Sequence, residues 1–252
     1  MTTRKIILVS IITPSHNASE FISQSIESVI NQSYIDWEMI IVDDCSDDNS
    51  VEVIKGYCSR DSRIKLIELE TNSGAGVARN RAIAEAKGDM IAFLDADDMW
   101  MPQKLEKQLE FMKKHNLAFT YSSYEVIDEK NNNLTTFYTR GSVDYDSLLK
   151  TCSIGCLTAI YDVTKVGKVY MPDMRRRQDY ALWLDIFKRI DGAKGLVEPL
   201  AYYRVGHTSI SSNKLKTALW QWKTYRNIEK LSLPKSIYYF AHYIYYGFKK
   251  YR

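Results

Sequence analysis

Three carboxylates stand where one short apolar run ends. In Met90-Ile-Ala-Phe-Leu-Asp-Ala-Asp-Asp98 the chain leaves what reads as a buried strand and arrives at Asp95, Asp97 and Asp98. Side chains two positions apart on an extended chain face the same way, so Asp95 and Asp97 share one side and small Ala96 takes the other. Carboxylates that close repel one another unless a cation lies between them, which asks for a hard divalent ion with oxygen ligands. A second acidic pair, Asp43-Asp44, closes the run Trp37 to Val42, and Asn72-Ser-Gly-Ala-Gly76 precedes an alanine-rich segment carrying Arg79. Gly74 and Gly76 leave the backbone open to close approach by a ligand. They do not form the dinucleotide fingerprint, whose third glycine would fall at Arg79, and no phosphate loop ending in Gly-Lys-Ser/Thr occurs. What remains is an acidic nucleotide site in which a metal, not a lysine, screens the phosphates, with Asp and Asn side chains able to read a base or ribose.

The elements that must position these groups alternate. Ile6 to Ile12 reads as a strand, and Asn17 with Glu20 forms a capping-box pattern that predicts a helix running to about Asn31. Trp37 to Val42 is a second strand, a helix follows from about Ser50, and Ile64 to Ile67 is a short third strand. Val77 to Lys87 is a helix stopped near Gly88, and the strand ending at Asp95 is the fourth. This alternation predicts an α/β protein, a single Rossmann-like domain with a mostly parallel central sheet, in which ligands bind beyond the carboxyl ends of the strands. All the unusual polar clusters fall at those ends.

From Met101 the pattern is less regular. Met101, Leu105, Leu109 and Met112 mark a helix, Phe119 to Ile127 a strand, Asp128 to Asn133 a surface turn, Asp144 to Leu149 a short helix and Leu157 to Tyr161 a strand. After Arg175-Arg-Arg177 and Gln178-Asp179 a helix carries Leu182, Trp183, Ile186, Phe187 and Ile190, and Gly195 to Tyr203 is the last sheet element. Trp183, Trp220 and Trp222 read as packing aromatics. The arginine triplet reads either as a solvated face or as an attractor for a lipid diphosphate. With no linker visible, residues 1–212 are expected to form one catalytic domain, nucleotide-binding over about 1–100 and acceptor-binding over about 101–212, with C-terminal helices in 213–252 as an appendage.

The composition, 45% hydrophobic and 26% charged over 252 residues, is that of an ordinary soluble chain. A net charge of +3 makes no case for nucleic acid. Cys45, Cys58, Cys152 and Cys156 lack the spacing of a secreted scaffold, which suggests a reducing, cytoplasmic setting, and Cys152 with Cys156 has no second pair to complete a zinc site. The apolar run at Ile6 to Ile12 is too short to span a bilayer, as is the aromatic stretch Ile237 to Phe248. That stretch, closed by Lys249-Lys-Tyr-Arg252, reads either as a helix packed on protein or as a peripheral contact of residues 236–252 with the inner face of the cytoplasmic membrane. Oligomeric state is not encoded in any feature of the sequence.

Thr13-Pro-Ser-His-Asn17, Val42-Asp-Asp-Cys-Ser-Asp-Asp48, Asn72-Ser-Gly74 with Ala78-Arg-Asn80, and Phe93-Leu-Asp-Ala-Asp-Asp98 together resemble the ordered motifs of family 2 inverting glycosyltransferases of the GT-A fold. The resemblance covers about residues 6 to 205 and is nearest to the small bacterial members that build capsule, O-antigen or teichuronic-type polymers. It implies the nucleotide-diphospho-sugar transferase fold and metal-dependent transfer, with Mn²⁺ or Mg²⁺, from a UDP-sugar to a hydroxyl of a glycan or polyprenyl-diphosphate-linked saccharide. By the same resemblance Pro14 would line the nucleotide pocket beside Gly74, Asp44 would accept a hydrogen bond from uracil, Arg79 would help hold the base and Asp95 would contact the ribose. Asp97 would ligate the ion, with Asp98 beside it. Asp179 inherits the general-base role, while Gln178 stands where the family commonly has Glu. Tyr203-Arg204 with Ser209, Ser211 and Ser212 resembles the segment that closes over the donor phosphates, with Arg204 among their partners and His207 inside the loop; His16 follows the first strand and could line the pocket. Carboxylates at strand ends also serve metal-dependent nucleotidyltransferases and phosphohydrolases, and a sugar-binding scaffold with a decayed site is the non-enzymatic alternative. The pairing of Asp44 and Arg79 with the distant Asp179 weighs against the first, and the intact set of Asp95, Asp97 and Asp179 against the second.

Overall fold

The computed structural model describes residues 6–206 and 214–249. Its first half runs β1 (Val9–Ser15), α1 (Ile22–Ile30), β2 (Trp37–Asp43), α2 (Ser50–Cys58), β3 (Ile64–Glu68), α3 (Ala75–Glu85) and β4 (Met90–Phe93). Then come β5 (Met99–Trp100), α4 (Lys104–His115), β6 (Phe119–Ile127), β7 (Asn133–Phe137), β8 (Ser142–Val143), α5 (Tyr145–Lys150), β9 (Ile160–Asp162), α6 (Val163–Val166), α7 (Gln178–Phe187) and β10 (Ala193–Arg204). The tail is α8 (Lys214–Lys223), a π turn over Thr224–Ile228, and α9 (Leu233–Lys249).

Every residue of β1 and β2 is buried, as expected of strands covered on both faces. Successive side chains leave opposite faces. Accordingly Ile12, Ile40 and Val42 join one apolar cluster with α3 and α7, while Ile11, Met39 and Ile41 join another with α1, α2 and α4. The strand order is β3-β2-β1-β4-β9-β6-β10-β5. It is parallel from β3 through β4, and mixed beyond, where β9 runs antiparallel to both β4 and β6, and β10 parallel to β6. This is the GT-A-like arrangement, and it brings the carboxyl ends of β1, β2 and β4 to one edge.

One local reading is corrected. Asn17 and Glu20 do not cap α1: the helix starts at Ile22 after Phe21, with no side-chain cap. Asn17 takes a left-handed conformation (φ +49), donates its N–H to Ser46 Oγ and accepts the Asp47 N–H on its Oδ1. Asparagine tolerates that conformation, and two contacts to a neighbouring loop outweigh one helix cap. Asp48 adds to the stitching by accepting from Ser19 N and Ser50 N, and Ser50 Oγ accepts from Ala18 N.

Two packing features tie the later elements to this edge. Trp183 of α7 is fully buried and meets Phe93 of β4 and Phe119 of β6 edge-on, with ring centroids 5.3 and 5.2 Å away. It fixes the helix bearing Asp179 to the strand that leads into Asp95. In the tail, Tyr225 is fully buried and bonds Leu149 O, and Gln221 Nε2 donates to Tyr180 OH. Helix α9 packs on its own domain through one side, with Tyr239 OH donating to Asp146 Oδ1 and Phe240 lying edge-on to Trp222. Its other side, including Ile237, Tyr238, Ile244 and Tyr245, is exposed. No helix among the described residues is long and apolar enough to cross a membrane.

Candidate functional site

A cleft of about 1740 Å³ opens over the carboxyl ends of the strands. One wall is the loop Asn72 to Gly76 with Arg79; the floor carries Asp95 and Asp97; the opposite wall is Arg175 to Tyr180, and Tyr243 and Tyr246 of α9 complete it.

The loop 72–76 is held from beneath. Asp44 is 3% exposed, and its two oxygens accept the backbone N–H groups of Ser73 and Gly74, each at 2.7 Å. Gly74 has φ +92, a conformation that a side chain would strain. Asp44 therefore shapes the loop, and neither it nor Pro14, buried in β1 opposite Val42, forms part of the cleft surface. Asn72 Nδ2 lies 3.0 Å from Nε2 of His16, which places His16 at the rim.

The three carboxylates after β4 have three different environments. Asp95 Oδ1 accepts from Arg79 Nη2 at 2.5 Å. Burial disfavours the Arg79 charge, yet the facing Asp95 more than offsets this and keeps the guanidinium firmly cationic. Asp98 is turned inward, 1% exposed, and accepts the backbone N–H of Arg204 at 2.9 Å. Burial, and then the charges of Asp97 and Asp95, push its carboxyl well above the usual range. Asp97 faces the cleft, open to solvent there but crowded by protein elsewhere. That desolvation, with the charge of Asp95 next, raises its pKa to about 6.

Arg204, at the end of β10, ties these parts together. Its Nε donates to Asp97 O, Nη1 to Asn131 Oδ1 and Asp128 O, and Nη2 to Gln24 Oε1, while its guanidinium lies 4.5 Å from the centre of the Phe21 ring. It is 4% exposed, and protein acceptors engage donors that the family resemblance would turn toward phosphates. The partners Gln24 and Phe21 carry no signal in the sequence that would have identified them. His207, Ser209, Ser211 and Ser212 lie outside the described residues.

Asp179 sits in the first turn of α7, on the cleft wall facing the loop. Gln178, one residue earlier, donates from Nε2 to Met174 O at 2.6 Å and lies over Gly76, where a Cβ would come within 2.9 Å of that nitrogen. The glycine thus lets the start of α3 and the start of α7 touch. Cys152 and Cys156 line the cleft, neither of them in a disulfide, and burial pushes the Cys156 thiol well up. Their place there, and that of Tyr243 and Tyr246, was not visible in the sequence.

Among the described residues no three His, Cys, Asp or Glu side chains form a set able to hold a metal by themselves. A divalent ion that keeps phosphate oxygens and waters needs only one or two carboxylates from the protein. The cleft-facing carboxylate of Asp97, beside Asp95, fits that need.

Residues 10–163 match the family described as Glycosyl transferase family 2. The chain is 46% identical to the putative teichuronic acid biosynthesis glycosyltransferase TuaG of Bacillus subtilis (strain 168), over 94% of each chain. It is 42% identical to the UDP-Glc:alpha-D-GlcNAc-diphosphoundecaprenol beta-1,3-glucosyltransferase WfgD of Escherichia coli, over 96% of this chain and 94% of that one. Among solved structures, S. aureus TarS 1-349 in complex with UDP-GlcNAc superposes with a TM-score of 0.73 at 19% identity, covering 95% of this chain and 72% of TarS 1-349.

Proposed function

This chain belongs to glycosyl transferase family 2, and from that premise we propose that it moves a sugar from a UDP-sugar to a hydroxyl of a polyprenyl-diphosphate-linked saccharide in surface-polysaccharide assembly. The observation that carries the reading is that Asp97 and Asp179, 82 positions apart by number (179 − 97), line one cleft together with the loop that Asp44 braces. The relatives named above support the donor and acceptor classes. One supporting fact for a lipid-borne acceptor is the exposed apolar side of α9, which would rest at the cytoplasmic face of a membrane.

In this reading Asp97 holds a divalent cation, Mn²⁺ or Mg²⁺, which when bound neutralises charge on the diphosphate leaving group. Asp95, fixed by Arg79, stands beside the ribose, and the braced loop 72–76 packs against the base. Asp179 takes the proton from the acceptor hydroxyl as its oxygen bonds to the anomeric carbon. The bond from that carbon to the phosphate oxygen breaks in the same step, and its electron pair leaves with UDP. A single displacement inverts the carbon, so an α-linked donor gives a β-glycoside. Aspartate is an intrinsically weak base, so positioning contributes much of the rate.

Asp179→Asn is expected to bind UDP as wild type does while turnover falls at least about a hundredfold. Undiminished turnover would remove Asp179 from the reaction. A screen of UDP-glucose, UDP-galactose, their N-acetyl forms and UDP-glucuronate with Mn²⁺ or Mg²⁺, reading UDP release, identifies donor and metal.

A further inference from the structure

Two residues before Asp179 the chain makes a left-handed turn at Arg177 (φ +60), and its guanidinium goes between two aromatic rings. The centre of the guanidinium lies 4.6 Å from the Tyr180 ring and 5.5 Å from the Tyr243 ring, one from α7 and the other from α9. Ring faces attract such a cation but leave its in-plane N–H groups unused. Its Nε is buried without a hydrogen-bond partner, and the side chain lines the cleft. Arg175, exposed, stands on the same wall. The result is a positive group set against two rings, whose Nε has no hydrogen-bond taker among the described residues.

What lies beside this group limits what could occupy it. Along α9 from Tyr243 the next cleft residue is Ile244, 42% exposed, and it leads onto the outward apolar side with Ile237, 55% exposed. An anion that also carried a branched apolar chain would find both halves of its chemistry there. The donor's nucleotide carries no such chain. Arg177 and Asp179 are two positions apart, at most roughly 7 Å of chain, a span that one sugar ring bridges.

We infer that Arg177, held between Tyr180 and Tyr243, is the seat of the acceptor's diphosphate, with the isoprenoid chain leaving along α9 and the first sugar reaching back to Asp179. The inference rests on reading the cleft as a site of glycosyl transfer. It locates the acceptor within that site and assigns its recognition to the lipid-proximal diphosphate. Charge-assisted hydrogen bonds to a guanidinium contribute about 1.5–3 kcal/mol each, so losing one weakens binding by about tenfold or more.

The test is calorimetric titration of the full chain with farnesyl diphosphate, with inorganic pyrophosphate and, separately, with UDP. Wild type is expected to bind farnesyl diphosphate more tightly than pyrophosphate. Arg177→Gln is expected to weaken farnesyl diphosphate at least about tenfold while changing UDP affinity less than about twofold. Arg175→Gln, at the exposed rim, should weaken farnesyl diphosphate by a smaller factor, and it serves as the reporter if Arg177→Gln fails to fold. Absence of farnesyl diphosphate binding, equal binding of pyrophosphate, or an equal loss of UDP affinity in the Arg177 variant would each overturn the assignment. So would an undiminished farnesyl diphosphate affinity in the variant that reports. Failure of wild type to bind UDP would instead count against the transferase reading itself, so the two can fail separately.

Discussion

Replacing Asp44 by Asn changes one oxygen to an amide nitrogen at nearly constant shape. The structure gives both Asp44 oxygens a backbone N–H at 2.7 Å. Whichever way the amide turns, one of Ser73 N and Gly74 N then faces another donor. The loss is at least one hydrogen bond to a charged acceptor, about 1.5–3 kcal/mol. At 2–4 °C per kcal/mol for a chain of this size, Tm should fall by roughly 3–12 °C. The drop should appear without nucleotide, by differential scanning calorimetry of the unliganded protein, and UDP affinity should fall as well because the loop is less well held. A residue that only contacted uracil would leave the unliganded Tm alone. If Asp44→Asn unfolds within about 1 °C of wild type and still loses UDP affinity, the brace is not what Asp44 supplies.

Gly88→Ala would place a Cβ 2.6 Å from Ser10 N and 2.7 Å from Leu8 O, both backbone. Neither can retreat cheaply, so a loss of about 1–3 kcal/mol or more is expected in the urea midpoint. Glu38 is buried against Lys65, which it meets at 2.6 Å, and also accepts from Ser10 Oγ and Lys87 N. Burial alone would raise its pKa, but these bonds bring it below the ordinary value. A depressed folded pKa means stability that is full above the unfolded value, near 4.3, and is lost as pH falls through the folded one. Glu38→Gln should therefore be less stable than wild type by about 1–3 kcal/mol at pH 7, with the gap closing below about pH 4, as read from urea midpoints across that range.

The sheet was legible because its strands are apolar on both faces and end in turn residues. Phe119–Ile127 is a strand over the bounds expected, and α7 carries Asp179 in its first turn as the resemblance required. The direction of β9 was not legible, since an apolar run does not record whether it lies parallel or antiparallel to its neighbours. Asn17 shows a local signal overruled by a tertiary one, because its partners Ser46 and Asp47 lie on another loop. Arg204 is the strongest case. Its motif is readable, but its bond to Gln24 joins residues 180 positions apart, and only the folded sheet edge brings them together. The tail's sequence is aromatic almost all round, which hid which of its rings turn toward the cleft.

The run Asp95-Ala-Asp-Asp98 looks, letter by letter, like a store of three negative charges. Folding distributes them. One is matched by Arg79, one is withdrawn beneath the surface to the peptide of Arg204, and one is left facing outward. A relative with the same four letters but without Arg79 would present a different charge to whatever enters, so the letters alone do not fix the affinity of such a motif for a cation. The number of acidic groups a visitor meets is set by residues that lie outside the motif.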